Sequence, residues 1–530
     1  MKEGLTHITN ARIYTMEDET QTFSSMTLEN GRIISLGQGP EKRAKSVDLG
    51  GRTVLPGFTD AHCHFMPSAV LNEFGANISR IGRHGLVPKS LSGVKEILCR
   101  QADLQKKKLV IGFNLVTAGL KENRLPSQRE LDQWLPGKTV VIFDASGHAS
   151  AYSSGAIKAL DLGHLHDQGQ LTGEAHEFNM GRVNSFVMKQ LNPMIFLKGI
   201  CGYVNRLHQC GITSVHCMEG FDDDPRDVST KIFAFLAPVL PLHVRLYCQY
   251  TNPGRVFPFL KKMAYPRLGG CGAWEMDGAV SSGTAAFFDS YKNPEDGRGK
   301  CYYSDTKIQD MVRTADESQF QISAHAIGPR AIEPLLSAFE KSPGQKNLRH
   351  RIEHFEFPTP DQVKRAVEAG IVMVPQPGWT WVDHKYQNSY GFRLTSDQIQ
   401  SQIPLRDIVS TGGIICGSSD SPVQDPDPLA QIRGMCDFPV KGQSISRYQA
   451  VKAFTVNGAF AGCEEEDRGS LCPGKRADFM VLNKDIMDDE VDLEDIRVDR
   501  VYMDGCALPE NGLTPLGLLA RAFWGQRKKI

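Results

Sequence analysis

Two histidines, one residue apart, stand in the stretch "GFTDAHCHF", residues 57–65, just after the apolar run Val54-Leu55-Pro56. Side chains alternate along an extended strand, so His62 and His64 face one way and Cys63 the other. Imidazole is a good ligand for zinc, iron and nickel, although a pair of packed histidines is the ordinary alternative. Three more ionisable side chains close apolar runs: His325 in "QISAHAIG", His354 in "RIEHFEF" and Asp420 in "GIICGSSDSPV". If the ends of those runs share one mouth, five ligand-type side chains converge, and coincidence is a poor account of them. A divalent-metal site is the expectation.

Such a mouth needs parallel strands with their C-terminal ends together. Between residues 57 and 466, strand-like runs alternate with longer helical stretches, the pattern of βα units. The strand candidates are 53–62, 211–216, 243–249, 272–277, 321–326, 351–355, 370–375 and 413–419. Eight units predict an α/β fold, a (β/α)8 TIM barrel whose chemistry sits at the C-terminal strand ends. The fourth run, "GAWEMDG", has no β-branched residue. The interval between the first two strands holds "KLVIGFNL", "KTVVIFDASGHAS" and several helices, read as an insertion over about 66–206 at the barrel mouth.

Residues 1–56 and 467–512 read as short strands joined by Asn-Gly, Gly-Gly and Asp-Gly turns. Together they predict a small composite β-sandwich, because chain termini often lie close together. Residues 513–530 read as an amphipathic helical tail docked on the surface.

The chain has 530 residues, 41% hydrophobic and 23% charged, with a net charge of −1. This balance carries no electrostatic signature of a nucleic-acid partner. No apolar run reaches the roughly 18–20 residues that span a bilayer, so no membrane partner is expected. The N-terminus lacks a charged segment followed by an apolar one, so no signal peptide is expected. Thirteen cysteines without framework spacing suit a reducing, cytoplasmic setting.

"VLPGFTDAHCHF", "SAHAIG", "RIEHFEF", "GSSDSPV" and the tail "GSLCPGKRADFMVLN" resemble the amidohydrolase superfamily of metal-dependent hydrolases. "SGHASAYSSGAIKAL", "CGITSVHCM" and "DGAVSSGTAAF" resemble its YtcJ-like, N-substituted formamide deformylase-like branch. The resemblance runs over nearly the whole chain. It implies that His62, His64 and Asp420 hold a first divalent metal and His325 and His354 a second where one exists, with zinc the leading choice. It further implies attack of a metal-bound hydroxide on an amide carbonyl, with Asp420 as general base and acid. The implied substrate is a small molecule with a non-peptide C–N bond, an N-acyl or N-formyl amine, and the implied assembly is a homodimer.

One departure from the family pattern stands out. Relatives carry a bridging, carboxylated lysine in a "K-x-x-x-D-G" context, and here that position is Ala273 in "AWEMDG". Glu275, on the same face, is one candidate bridge; Cys217, Glu219 and the neighbouring His216 are others. A single-metal site, with His354 bonding the hydroxide or substrate, is the third outcome. His148 in "DASGHAS" and Trp379 in "PGWTWVDH" are expected to touch substrate, with Trp381 beside them. Arg351 is expected to contact substrate or brace the strands, and Asp277 to shape the site. Two rival functions remain: deamination of a nucleobase-like ring, and a metal-free binding protein. Mononuclear deaminases of this superfamily carry a glutamate three residues after the fifth-strand histidine, where this chain has Gly328.

Overall fold

Gly57 divides what the sequence reads as one strand, 53–62, into two. The computed structural model describes residues 4–39, 43–82, 85–163, 169–221, 229–524 and 527–530. Lys45–Pro56 belongs to a sheet built from both chain ends, and Phe58–Cys63 (β1) begins a second, parallel sheet. A Cβ at Gly57 would lie 2.3 Å from Thr213 Oγ1. Only glycine lets the backbone pass that close while it changes sheets.

The parallel sheet continues through Ile212–Glu219 (β2), His243–Cys248 (β3), Arg267–Glu275 (β4), Gln321–Ala326 (β5), Arg351–His354 (β6), Val372–Val374 (β7) and Ile414–Ile415 (β8). Each pairs with its neighbours in chain order. The sheet curls until its edges meet: the Ala61 amide donates to Gly417 O at 3.1 Å, and the Asp420 amide to His62 O at 2.8 Å. A parallel bridge joins Cys63 to Ser421. All eight expected runs therefore contribute strands. The fourth begins five residues earlier than expected, at Arg267, and its regular ladder uses Arg267–Gly270 against Gln321–Ala324.

Helices cover the outside of this sheet, and their starts are written locally. Pro329–Glu340 after β5 opens with proline at its first position, where no amide hydrogen is needed. That gives Pro329 a structural role. Pro360–Glu368 starts from a Thr359–Gln362 capping box.

The terminal sheet runs in the order 506–507, 498–503, 479–482, 45–56, 6–14, 26–29, 32–36, with 22–23 beside 6–14. Its own core includes Ile8, Ile13, Val54, Phe479 and Tyr502. Residues 66–206 leave the mouth on helix Phe65–Phe74 (α1) and build a five-stranded sheet around Leu109–Leu115 and Thr139–Asp144. Helices Gly173–Gln190 (α2) and Pro193–Gln209 (α3) follow. α3 packs against α1, the Phe65 and Tyr203 rings 5.0 Å apart, and returns the chain to β2. The tail helix Pro515–Trp524 buries Leu518 and donates from Arg521 Nε to Val239 O at 2.9 Å. Among the described residues, no helix is long and apolar enough to cross a membrane.

Candidate active site

The C-terminal strand ends bring His62 and His64 (β1 and its end), His325 (β5), His354 (β6) and Asp420 (after β8) to one place. The ligand atoms of His62, His354 and Asp420 lie within 4.8 Å of one another. Asp420 Oδ1 is 3.3 Å from His62 Nε2 and 3.2 Å from His64 Nε2. The five residues expected as metal ligands are thus adjacent.

Hydrogen bonds on the far side of the rings set their orientation. His62 Nδ1 donates to Glu353 Oε2 at 2.6 Å, leaving Nε2 facing the cluster. His354 Nδ1 donates to Gln376 Oε1 at 2.6 Å, and Gln376 Nε2 is fixed on Val374 O and Ser418 Oγ. Outer partners of this kind select tautomer and ring angle at metal sites. Glu353 also accepts from Ser323 Oγ at 2.6 Å and pairs with the buried Arg351. Backbone strain marks the same place: His354 and Asp420 take left-handed φ values of 69° and 55°. Such residues cost roughly 1–3 kcal/mol each and persist where the surroundings dictate them.

The sequence reading missed the residue at the centre. Cys271 Sγ lies 3.7 Å from His62 Nε2, 3.7 Å from His325 Nδ1 and 3.8 Å from His354 Nε2. The β4–β5 ladder passes from Gly270↔Ala324 directly to Glu275↔His325, so residues 271–274 bulge out of that ladder. That bulge carries Cys271 inward. The signal was the run Gly269-Gly270-Cys271-Gly272, and placing the strand start at Gly272 discarded it.

The remaining candidates take the following places. Cys217 Sγ faces Cys63 Sγ at 3.8 Å, away from the histidines. Glu219 Oε1 accepts the Met66 amide at 2.9 Å. His216 Nδ1 accepts from Arg351 at 2.9 Å beneath the site. Arg351 is wholly buried, held by Glu353, Ala61 O, His216 and Tyr247, so it braces strands. Ala273 lines the cavity wall two residues beyond Cys271. Glu275 accepts the Gly272 amide at 3.1 Å and lies beside His148 and His325, off the central cluster. Asp277 accepts the amides of Ala286, Ile327 and Gly328, bracing the loop after β5. Trp379 donates to Tyr390 OH at 2.9 Å and lines a smaller side pocket with His354 and Gln376. Trp381 is buried against Asp437.

His148 does reach the site. Its Nδ1 is 3.0 Å from both Glu177 Oε1 and Glu275 Oε1. Burial disfavours its charged form, but Glu275 and Glu177 outweigh that and lift its pKa well above the usual value. Burial, and then the nearby Glu177 charge, push Glu275 up to about 7. In the cluster, burial also opposes charge on His62, yet Asp420, Cys271 and Glu353 raise its pKa well above the ordinary imidazole range. The reciprocal effects hold the Asp420 carboxyl and the Cys271 thiol well below their ordinary values, against the cost of burial.

A cavity of about 570 Å³ opens over this floor. Residues 66–206 wall it with apolar side chains: Val70 from α1, Ile111 and Phe143 from the inserted sheet, and Met180, Val183 and Val187 from α2. The polar cluster thus faces a largely apolar chamber sized for a small molecule.

Residues 45–507 match the model of the amidohydrolase family. The chain belongs to that family of hydrolases. It is 24% identical to the putative amidohydrolase YtcJ of Bacillus subtilis (strain 168), over 89% of this chain and 93% of that protein. It is also 24% identical to the N-substituted formamide deformylase of Arthrobacter pascens, over 94% and 97%. Uncharacterized metal-dependent hydrolases from Pyrococcus furiosus and Pyrococcus horikoshii OT3 share the fold, with TM-scores of 0.68 and 0.70 at 21% and 20% identity. The alignments cover 92% and 91% of this chain and 100% and 98% of those.

Proposed function

We propose that the chain hydrolyses the C–N bond of a small N-acyl or N-formyl amine. The observation that carries this is the convergence of His62, His64, His325, His354 and Asp420 on the floor of an apolar chamber. The donor set fits a divalent metal: buried Asp420 Oδ1 completes no hydrogen bond, and the braced His62 and His354 rings turn their Nε2 atoms toward a common point. Imidazole, carboxylate and thiol donors suit zinc. Bound there, a divalent cation supplies Lewis acidity, acidifying a water and offsetting negative charge on a carbonyl oxygen.

The chain's own groups do the rest. Asp420 accepts a proton from the attacking water and returns it to the departing nitrogen. His148, held charged by Glu177 and Glu275, presents positive charge beside the reacting carbonyl. The apolar wall excludes bulk water and takes the substrate's hydrocarbon part.

The same reading takes the curled sheet as a (β/α)8 barrel over 57–466, the terminal sheet as a small sandwich from 1–56 and 467–512, and 513–530 as a helical tail. The reading also takes the setting as reducing and cytoplasmic, in keeping with thirteen cysteines that lack framework spacing. Deamination is disfavoured at Gly328, where a Cβ would meet Ala286 O at 2.1 Å; no glutamate fits there without moving the loop. The binding-protein reading is disfavoured because the ligand set is complete.

The test is amine release from a panel of N-formyl and N-acetyl amines by metal-stripped protein, before and after zinc is restored. Zinc-dependent release supports the assignment. No release from any member, with two zinc ions bound, would overturn the substrate class.

A further inference from the structure

We propose that Cys271, as thiolate, is the shared ligand of a two-metal centre, filling the place that a carboxylated lysine takes in relatives. This rests on the metal-dependent reading above and names the bridge within it. Two three-residue ligand groups, His62–His64–Cys271 and Cys271–His325–His354, meet only in Cys271, and within each the ligand atoms lie no more than 4.8 Å apart. Asp420 completes the first group through its contacts to His62 and His64.

The distances fit shared ligation. With bonds of about 2.3 Å to sulfur and 2.0–2.1 Å to nitrogen, a tetrahedral zinc separates its sulfur and nitrogen ligands by about 3.6 Å. Cys271 Sγ is 3.7–3.8 Å from one nitrogen of the first group and two of the second. On two of those three histidines, the remaining ring nitrogen is engaged by Glu353 or Gln376. The nitrogens facing sulfur are therefore the ones free to bind metal.

The backbone around Cys271 is shaped for this delivery. Gly269, Gly270 and Gly272 have φ values of 102°, 121° and 69°. A Cβ at Gly269 would lie 1.9 Å from Ser323 O, and one at Gly270 would press on Gln249 and Met218 at 3.0 Å. Three glycines in conformations that other residues rarely adopt permit the bulge, and the bulge puts sulfur at the centre. Glu275, the other candidate, lies beside that point and is engaged with Gly272 and His148.

The experiment loads metal-stripped protein with cobalt(II), following metal content and the sulfur-to-cobalt charge-transfer absorption in the near ultraviolet. About two cobalt ions per chain are expected, the absorption growing with both equivalents. Cys271→Ser should lose the band and at least one ion, Cys271→Asp should lose the band but keep both ions, and Glu275→Gln should keep both ions and the band. Thermal melts check that each variant folds; if Cys271→Ser does not, wild type and Cys271→Asp decide. Removing bicarbonate should change nothing, because no carbamate is needed.

A band that survives in Cys271→Ser, a single ion in wild type, or loss of an ion in Glu275→Gln would overturn the bridge. Two ions without a sulfur band would refute the bridge and leave the hydrolase reading standing. No bound metal would refute both, whereas the band without any amide hydrolysis would keep the bridge and remove only the proposed substrate.

Discussion

The floor and the wall of the cavity are built on opposite plans. On the floor, polar side chains are buried at strand ends and oriented by further partners: Glu353 behind His62, Gln376 behind His354, Arg351 behind Glu353. The wall, contributed by residues 66–206, is mostly hydrocarbon: Val70, Ile111, Phe143, Met180, Val183 and Val187. His148 joins the two, rooted in the inserted segment and paired with Glu275 on β4. The difference teaches that chemistry and selectivity are separable here. A floor that holds charge in a buried place needs fixed partners for every donor and acceptor, while a wall that selects by shape and hydrophobicity can be rebuilt without disturbing them.

That separation can be broken by experiment. The largest effect is expected at Asp420. Asp420→Asn should lower kcat by about 10²–10⁴, the usual worth of a positioned acid–base group, with the fold retained by circular dichroism. A loss under tenfold would remove Asp420 from proton transfer. Next comes a pH effect confined to the wall. His176 on α2 meets Ser150 Oγ at 2.8 Å, and burial, aided by the nearby His148 charge, pushes it down to about 4. An unfolded histidine titrates near 6.5, so between pH 6.5 and about 4 the unfolded chain binds a proton that the folded chain refuses. Stability is therefore unaffected above pH 6.5 and falls as pH drops through that window, by on the order of 3 kcal/mol when complete. Hydrogen exchange in residues 66–206 should show this slope, and His176→Gln should flatten it; an unchanged slope would place the acid sensitivity elsewhere.

Glu353→Gln should weaken metal binding by about 10–100-fold, the usual cost of removing a partner behind a ligating histidine, as measured by chelator competition. Equal affinity would mean that His62 needs no brace. The smallest change is expected at Phe143→Ala, which should raise KM for amides with a bulky apolar group by about tenfold while metal content stays constant. A fall in metal content there would show that wall and floor are coupled after all.

The floor was more legible in the sequence than the wall because it follows strand logic. A histidine or aspartate closing an apolar strand of a βα unit must lie at one rim, so His62, His64, His325, His354 and Asp420 could be grouped from residue type and position. The strand order followed from the same pattern. Cys271 was not legible, because a bulge breaks the alternation on which face assignments depend, and the glycines before it pack against Ser323, Gln249 and Met218, which are distant in the chain. Arg351 had two readings in the sequence, substrate contact or strand brace, and only its buried pairing with Glu353 favours the brace.

By itself, the sequence determined the periodic alternation of strands and helices, the chemical types at the strand ends, and the apolar content of residues 66–206. Those are local properties, written in spacing and composition. Only the tertiary structure decided which nitrogen of each imidazole faces the cluster, that the Cys271 sulfur rather than Glu275 stands at its centre, and that the inserted segment roofs the mouth. Each of these depends on groups far apart in the chain, His62 on Glu353 and Cys271 on His325 among them, and contacts at that separation leave no periodic trace in the sequence.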